Sequence, residues 1–226
     1  MKSIRLFAAL LPLLLIYANK IQAQVFAEDM KGNAIRETKY TNINGSPYWD
    51  NTWQRGTVKF ANGQVIKNML LKYDQVDDML LFKNAKGDSL RFVLPVTEFT
   101  LPAQKEGETA LPVFRNQFPA VDGNNTNNYY EVLYDGKTKF LKRTKKTLVT
   151  QPSQYSSAVK QKDIVQRIDY FISKSGLLVP VKLDKKSFLK VLNDKSSSID
   201  EYAGKNNLNF KKESDCRKIA AFYDSL

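Results

Sequence analysis

The sequence predicts an α+β protein: an antiparallel β meander, laid out as an open sheet, a partly closed barrel or a sandwich, followed by a small C-terminal helical region. Two observations carry this. From Arg55 to Ala103 short apolar runs alternate with turn residues, the rhythm of hairpins, and two further hairpins follow before Leu183. Beyond Asp184 the apolar spacing changes from two to three and four residues, the rhythm of amphipathic helices.

The hairpins follow in order. Asn62-Gly63 marks a tight reversal, because both residues tolerate the positive φ that two-residue hairpin turns require. Strict alternation along the following strand, Gln64 to Tyr73, places Val65, Lys67, Met69, Leu71 and Tyr73 on one face and Asn68 and Lys72 on the other. Asp74 to Asp78 separates that strand from the next, and Lys86-Gly87-Asp88 reverses the chain again. A stretch containing Pro102, Pro112 and Pro119 and a polar loop from Asp122 to Asn128 then interrupt the pattern. Asp135-Gly136 joins a strand at 129–134 to one at 137–144, and Ser175-Gly176 joins 164–173 to 177–183. Between these two hairpins the polar run 151–162 reads as a surface loop or linker. In the tail, Phe188, Leu189 and Leu192 predict a first helix, Ile199, Tyr202 and Ala203 a second, and Cys216, Ile219, Ala220, Tyr223 and Leu226 a third.

The N-terminus has a different character. Lys2 and Arg5 precede an apolar run from Leu6 to Ala18, and a more polar stretch ends at Ala23, the order of a secretory signal peptide. The run falls short of the roughly 20 residues needed to cross a bilayer and contains Pro12, so no stable membrane anchor is expected. The expected organisation is therefore a signal peptide at 1–23, a β-rich body at 24–183 and a three-helix region at 184–226, with a periplasmic or extracellular address. Removing residues 1–23 takes away Lys2, Arg5 and Lys20 and no acid, so the formal charge of +12 falls by three to +9. A basic exported chain meets anionic glycans, lipid head groups and polymers.

Composition excludes much chemistry. The chain has no histidine, which removes the Ser-His-Asp and Cys-His nucleophile arrangements and the usual zinc sites. Cys216 is the only cysteine, so no intramolecular disulfide forms, and with no histidine to activate it the thiol reads as a small core residue. No glycine-rich phosphate loop occurs and Asp74 to Asp78 lacks the glycine and closing glutamate of a calcium loop; no cofactor and no metal are expected. Asp74, Asp77, Asp78 and Asp88 remain as carboxylates for a glycan hydrolase, although their turn positions account for them structurally.

Two surfaces stand out as candidate binding sites. Tyr48, Trp49 and Trp53 crowd a turn-rich segment, as they would at a carbohydrate or partner surface, or as a plug at one end of the β body. Lys139, Lys142 and Arg143 lie in a basic strand suited to a polyanion, or to an edge strand kept soluble by lysines.

Gly45 to Tyr48, Gly56 to Gly63 and Leu71 to Asp74, together with Lys205 to Leu208 and Ala221 to Ser225, resemble an uncharacterised family of exported β-rich proteins of Bacteroidota. The resemblance implies a Gram-negative source and an address outside the cytoplasm, and it supplies no active-site residue. The expected function is a non-catalytic envelope protein, a binding or structural module whose partner is a glycan, a lipid or a protein, with nucleic acid disfavoured. An apolar-ligand-binding β-barrel and a carboxylate-dependent glycan hydrolase are the alternatives.

Overall fold

The computed structural model describes residues 32–35, 40–102, 111–153 and 156–226; the expected signal peptide, 1–23, lies outside the described residues. The α+β expectation holds. Twelve strands form one large open sheet: β1 (Gly32–Ala34), β2 (Ile43–Asn44), β3 (Gln54–Phe60), β4 (Val65–Asp74), β5 (Met79–Lys83), β6 (Ser89–Phe92), β7 (Val96–Thr100), β8 (Val113–Arg115), β9 (Tyr130–Asp135), β10 (Lys139–Ser153), β11 (Ser156–Lys174) and β12 (Leu177–Val181). Their order across the sheet is β1-β6-β5-β4-β3-β7-β8-β9-β10-β11-β12, with short β2 lying parallel beside β11 and every other pair antiparallel.

The reversals are hairpins, though the first is not a two-residue turn. Gly63 takes φ 86° while Asn62 keeps a negative φ, and Gly63 N–H donates to the Phe60 carbonyl at 2.9 Å. This is a three-residue loop closed by one left-handed glycine. Gly87 repeats it, at φ 87° and bonded to the Asn84 carbonyl at 3.0 Å.

Strict alternation along β4 also fails. Gly56 faces Met69 and Val58 faces Ile66, so β4 carries one extra residue, and Asn68 takes φ 63° there. The bulge flips the phase. Ile66 is buried and Val65 exposed, while Met69, Leu71 and Tyr73 beyond the bulge point inward as expected.

The run at 151–162 is a correction as well. Polar composition reads as loop, yet β10 and β11 pair antiparallel from Lys139↔Ser173 out to Pro152↔Lys160. Thr, Val and Ile along the two strands favour extended backbone, and cross-strand pairing overrides local polarity. β10 is therefore an interior strand, with β9 on one side and β11 on the other, and not the edge strand expected.

The middle of the sheet rolls. From β4 through β3, β7, β8 and β9 to β10 the strands curl until the turn after β4 meets β10, where Lys146 N–H donates to the Gln75 carbonyl at 3.1 Å. Val58, Phe60, Leu71, Tyr73, Phe82, Phe99, Phe114 and Tyr129 fill the concave side as one buried cluster. Phe99 stacks on Phe114 with centroids 4.8 Å apart, and Tyr73 meets Phe99 edge-on at 5.1 Å.

Three helices follow: α1 (Lys185–Val191), α2 (Ser196–Lys205) and α3 (Glu213–Ser225), with a single 3₁₀ turn at Asn193–Lys195. Asp184 caps α1, its carboxylate accepting the Ser187 N–H at 2.7 Å. Asn207 closes α2 in the left-handed region (φ 53°), so that Leu208 N–H reaches the Ala203 carbonyl and Asn207 N–H the Gly204 carbonyl. The helices share a core with the sheet: Leu133, Phe140, Ile172 and Val181 pack with Phe188, Leu192, Ile199, Cys216, Ile219 and Ala220. The opposite face of the same strands buries Phe118, Tyr130, Leu141, Phe171 and Leu178.

Helix α3 is also pinned by its last turn. Both carboxylate oxygens of Asp224 accept Thr138 N–H, at 2.9 and 3.1 Å, and Oδ2 accepts the Tyr134 hydroxyl at 3.2 Å. Gly136 is what lets the carboxylate in, since a Cβ there would collide with Asp224 Oδ2 and with the Tyr134 ring. Gly136→Ala is expected to cost about 1–3 kcal/mol by overpacking. Urea unfolding measures it, and an unchanged midpoint would mean that the helix end yields freely.

Candidate functional site

Among the described residues the densest set of buried polar side chains sits where the rolled sheet closes. β4 ends in Asp74 and the turn after it contributes Gln75 and the half-buried Asp78; β10 contributes Arg143 and Lys146. Asp78 takes φ 54°, which swings its carboxylate inward. Oδ1 accepts the Tyr73 hydroxyl at 2.5 Å, and Oδ2 accepts Arg143 Nη2 at 2.9 Å, Asn128 Nδ2 at 2.7 Å and Tyr129 N–H at 3.4 Å. Arg143 is only 6% exposed and its Nε has no hydrogen-bond partner, so Asp78 is the counter-charge that makes its burial tolerable. Burial first, then the neighbouring Asp78 carboxylate, pushes the Tyr73 phenol well above its ordinary pKa.

Asp74 is spent in the same way. It accepts the Tyr40 hydroxyl at 2.7 Å and the N–H groups of Val76 and Asp77 at 2.9 and 3.1 Å. Burial raises its pKa against the pull of those bonds. Lys146 Nζ donates to the Tyr48 carbonyl, and burial lowers its pKa. Asp88 accepts Asn84 Nδ2 at 2.8 Å within its turn. These carboxylates hold turns and strands together.

The sequence-nominated residues separate. Arg143 belongs to the buried clamp. Lys142 lies on the helix side of β10, its Nζ 3.0 Å from Glu131 and 3.4 Å from Glu213; burial opposes its charge, but the two glutamates outweigh that and raise its pKa. Lys139 pairs with Asp135 at 3.1 Å and donates to the Gly136 carbonyl at 2.8 Å. The three do not form one basic face, because alternation points Lys142 and Arg143 to opposite sides of an interior strand.

The aromatic segment divides as well. Trp49 turns inward, edge-on to Phe114 at 5.7 Å, and its backbone N–H donates to the Tyr73 carbonyl at 2.9 Å. It plugs the body. Tyr48 and Trp53 come together on the outer side, where Lys72 Nζ lies 4.1 Å from the Tyr48 ring centre and 5.7 Å from that of Trp53, and Lys83 Nζ 5.2 Å from Trp53. Lys72 and Lys83 were not singled out from sequence. The wet-face placement of Lys72 on β4 was the one signal that could have found it.

Comparison with known protein families, with curated proteins and with solved structures finds no match to this chain.

Two expectations follow from this geometry. Asp78→Ala strands the buried guanidinium and is expected to cost about 3–5 kcal/mol in denaturant unfolding, most of it recovered when Arg143→Met is added. If the double variant is no better than the single one, the pair is not what carries the closure. Cys216 is buried, donates to the Phe210 carbonyl at 3.2 Å and has a thiol pKa pushed up to about 12, by burial first and by Asp215 and Glu213 second. A thiol-disulfide reagent at neutral pH should therefore label the unfolded chain and leave the folded one unmodified; rapid labelling of the folded protein would contradict this placement.

Proposed function

We propose that the protein is an exported, non-catalytic envelope protein that binds a partner through its outer surface. The observation that carries this is the outer patch of Tyr48 and Trp53 with Lys72 and Lys83, rings and ammonium groups side by side, while Asp74, Asp78 and Arg143 are consumed in closing the sheet. Export is supported by the order of charge, apolar run and small residue at 1–23, and the resemblance to exported proteins of Bacteroidota agrees with it. Of the partner classes expected, an anionic envelope glycan suits the patch best, since ammonium groups meet its charge and aromatic rings stack on its sugar rings.

The hydrolase alternative is weakened by the structural bonds of its carboxylates. The apolar-ligand barrel loses support because aromatic rings already fill the concave side of the sheet.

The test is thermal unfolding of the chain from Gln24 onward against envelope glycans, lipids and anionic polymers, at low and high salt. An anionic glycan at a hundredfold excess over its Kd is expected to raise the midpoint by about 5–10 °C. The shift should fall with salt and with Trp53→Ala plus Lys83→Ala. No shift across the panel would overturn the glycan reading and leave a structural or protein-binding role. Recovery of the cellular protein with Met1 still attached would overturn export.

A further inference from the structure

The first strands of the roll are one-sided in charge as well as in polarity. β3, β4, β5 and β6 carry Arg55, Lys59, Lys67, Lys72, Lys83 and Arg91, while their only acid is Asp74, the last residue of β4. Apolar side chains fill the concave side, so the cations stand on the convex side, where Arg55, Lys59, Lys67 and Arg91 are exposed. Arg55, Lys59, Lys67, Lys83 and Arg91 form no ion pair among the described residues. The acids on adjoining elements are engaged or distant. Glu98, opposite Lys59 on β7, is paired with Arg115 at 2.6 Å, and Asp88 accepts Asn84 Nδ2 in its turn. Asp50, Asp77 and Asp78 lie before β3 and after β4, at the end of those strands away from the turn that joins them.

Where β3 turns into β4, exposed apolar side chains join these cations. Val65, 48% exposed, stands directly opposite Lys59 and two residues from Lys67 on the same face. Val93 and Leu94, 57% and 44% exposed, occupy the short link from β6 to β7. That link lies against the β3–β4 turn, because Phe92 meets Phe60 edge-on at 5.6 Å and the Pro95 carbonyl accepts the Ala61 N–H at 2.9 Å. Phe92 and Val96 pack on the core, and Val93 and Leu94 between them are left in water. This combination narrows what the surface suits. A nucleic acid or a soluble glycan would meet the charge and leave the apolar side chains wet, and a second copy of the chain would bring like charge. An anionic bilayer answers both, with phosphates for the cations and an acyl boundary for the apolar groups.

We propose that the convex side of β3 to β6, with the Val93-Leu94 link, seats the protein on an anionic lipid surface. Lys59, Lys67 and Arg91 meet phosphate-bearing headgroups, and Val93 and Leu94 enter the layer beneath them. The attachment is peripheral and reversible, since two side chains and a few cations hold it. The proposal rests on the envelope reading and uses the end of the outer surface away from Tyr48 and Trp53. The vesicles used below carry no glycan, so this experiment and the glycan panel fail separately.

The experiment mixes the chain from Gln24 onward with vesicles of phosphatidylglycerol and phosphatidylcholine in equal parts, or of phosphatidylcholine alone, and measures the fraction that sediments with them. Binding to the anionic vesicles is expected, about tenfold or more above the neutral ones and falling as salt rises. Lys59→Gln and Lys67→Gln should each weaken it about fivefold, and Val93→Ser plus Leu94→Ser about tenfold. An unchanged melting temperature shows that each variant keeps the fold. A Leu94→Cys variant carrying an environment-sensitive dye should shift its emission to the blue on anionic vesicles, because Cys216 is buried and stays unlabelled. Failure to bind the anionic vesicles would overturn the proposal, as would equal binding to both kinds. Binding that Val93→Ser plus Leu94→Ser leaves unchanged, with the dye still in water, would also overturn it and give the face to a soluble polyanion.

Discussion

The ion pair between Asp78 and Arg143 fixes the shape of the molecule. Strands β4 to β10 would be an ordinary twisted sheet if nothing held its two ends together; the pair joins the turn after β4 to a strand 65 residues later in the chain, five strands away across the sheet. The neighbouring bonds gain meaning from it. Tyr73, Asn128 and Tyr129 satisfy the remaining acceptor sites of the carboxylate, and each comes from an element that lines the roll. A buried pair is seldom a net source of stability, but it discriminates sharply between one closure and its neighbours, because a slip of one residue would bury two unpaired charges. The aromatic cluster on the concave side then provides the non-specific part of the stabilisation.

Beyond the roll, strands β9 to β12 work on both faces. One carries the three helices and the other the cluster around Tyr130 and Phe171, so the long β10–β11 ribbon is clamped near one end and reaches past its neighbours at the other. This is why, among the described residues, a stretch of β11 has no strand beside it: β12 is five residues long and β11 nineteen. The mismatch in strand length, not any special residue, produces the gap between β12 and β2.

Local chemistry was legible in the sequence and long-range pairing was not. Gly63, Gly87 and Ser175-Gly176 announced their reversals because left-handed backbone has a residue preference. The three helices announced themselves through apolar spacing, and Cys216 fell on a buried stripe as that spacing required. The phase of β4 was hidden, since Asn68 looks like any polar strand residue until its bulge shifts Val65 outward. The polar run after Thr150 concealed a strand because two polar strands can pair when each is the other's partner. Arg143 read as surface charge for a related reason: composition shows that a cation is present, and only the fold shows that an aspartate from a distant turn waits for it. Of the aromatic trio, sequence correctly assembled the segment but could not divide inward Trp49 from outward Tyr48 and Trp53.

Helix α3 follows every strand in the chain, yet its carboxylate at Asp224 sits on Thr138 N–H and its stripe completes the core over Phe140 and Ile172. The fold is therefore closed from its far end: until that helix has emerged, β9 to β12 lack one of their two covers. A chain with this order of assembly gains its final packing late and all at once. Strands β9 to β12 therefore cannot reach their final packing before the last helix is in place.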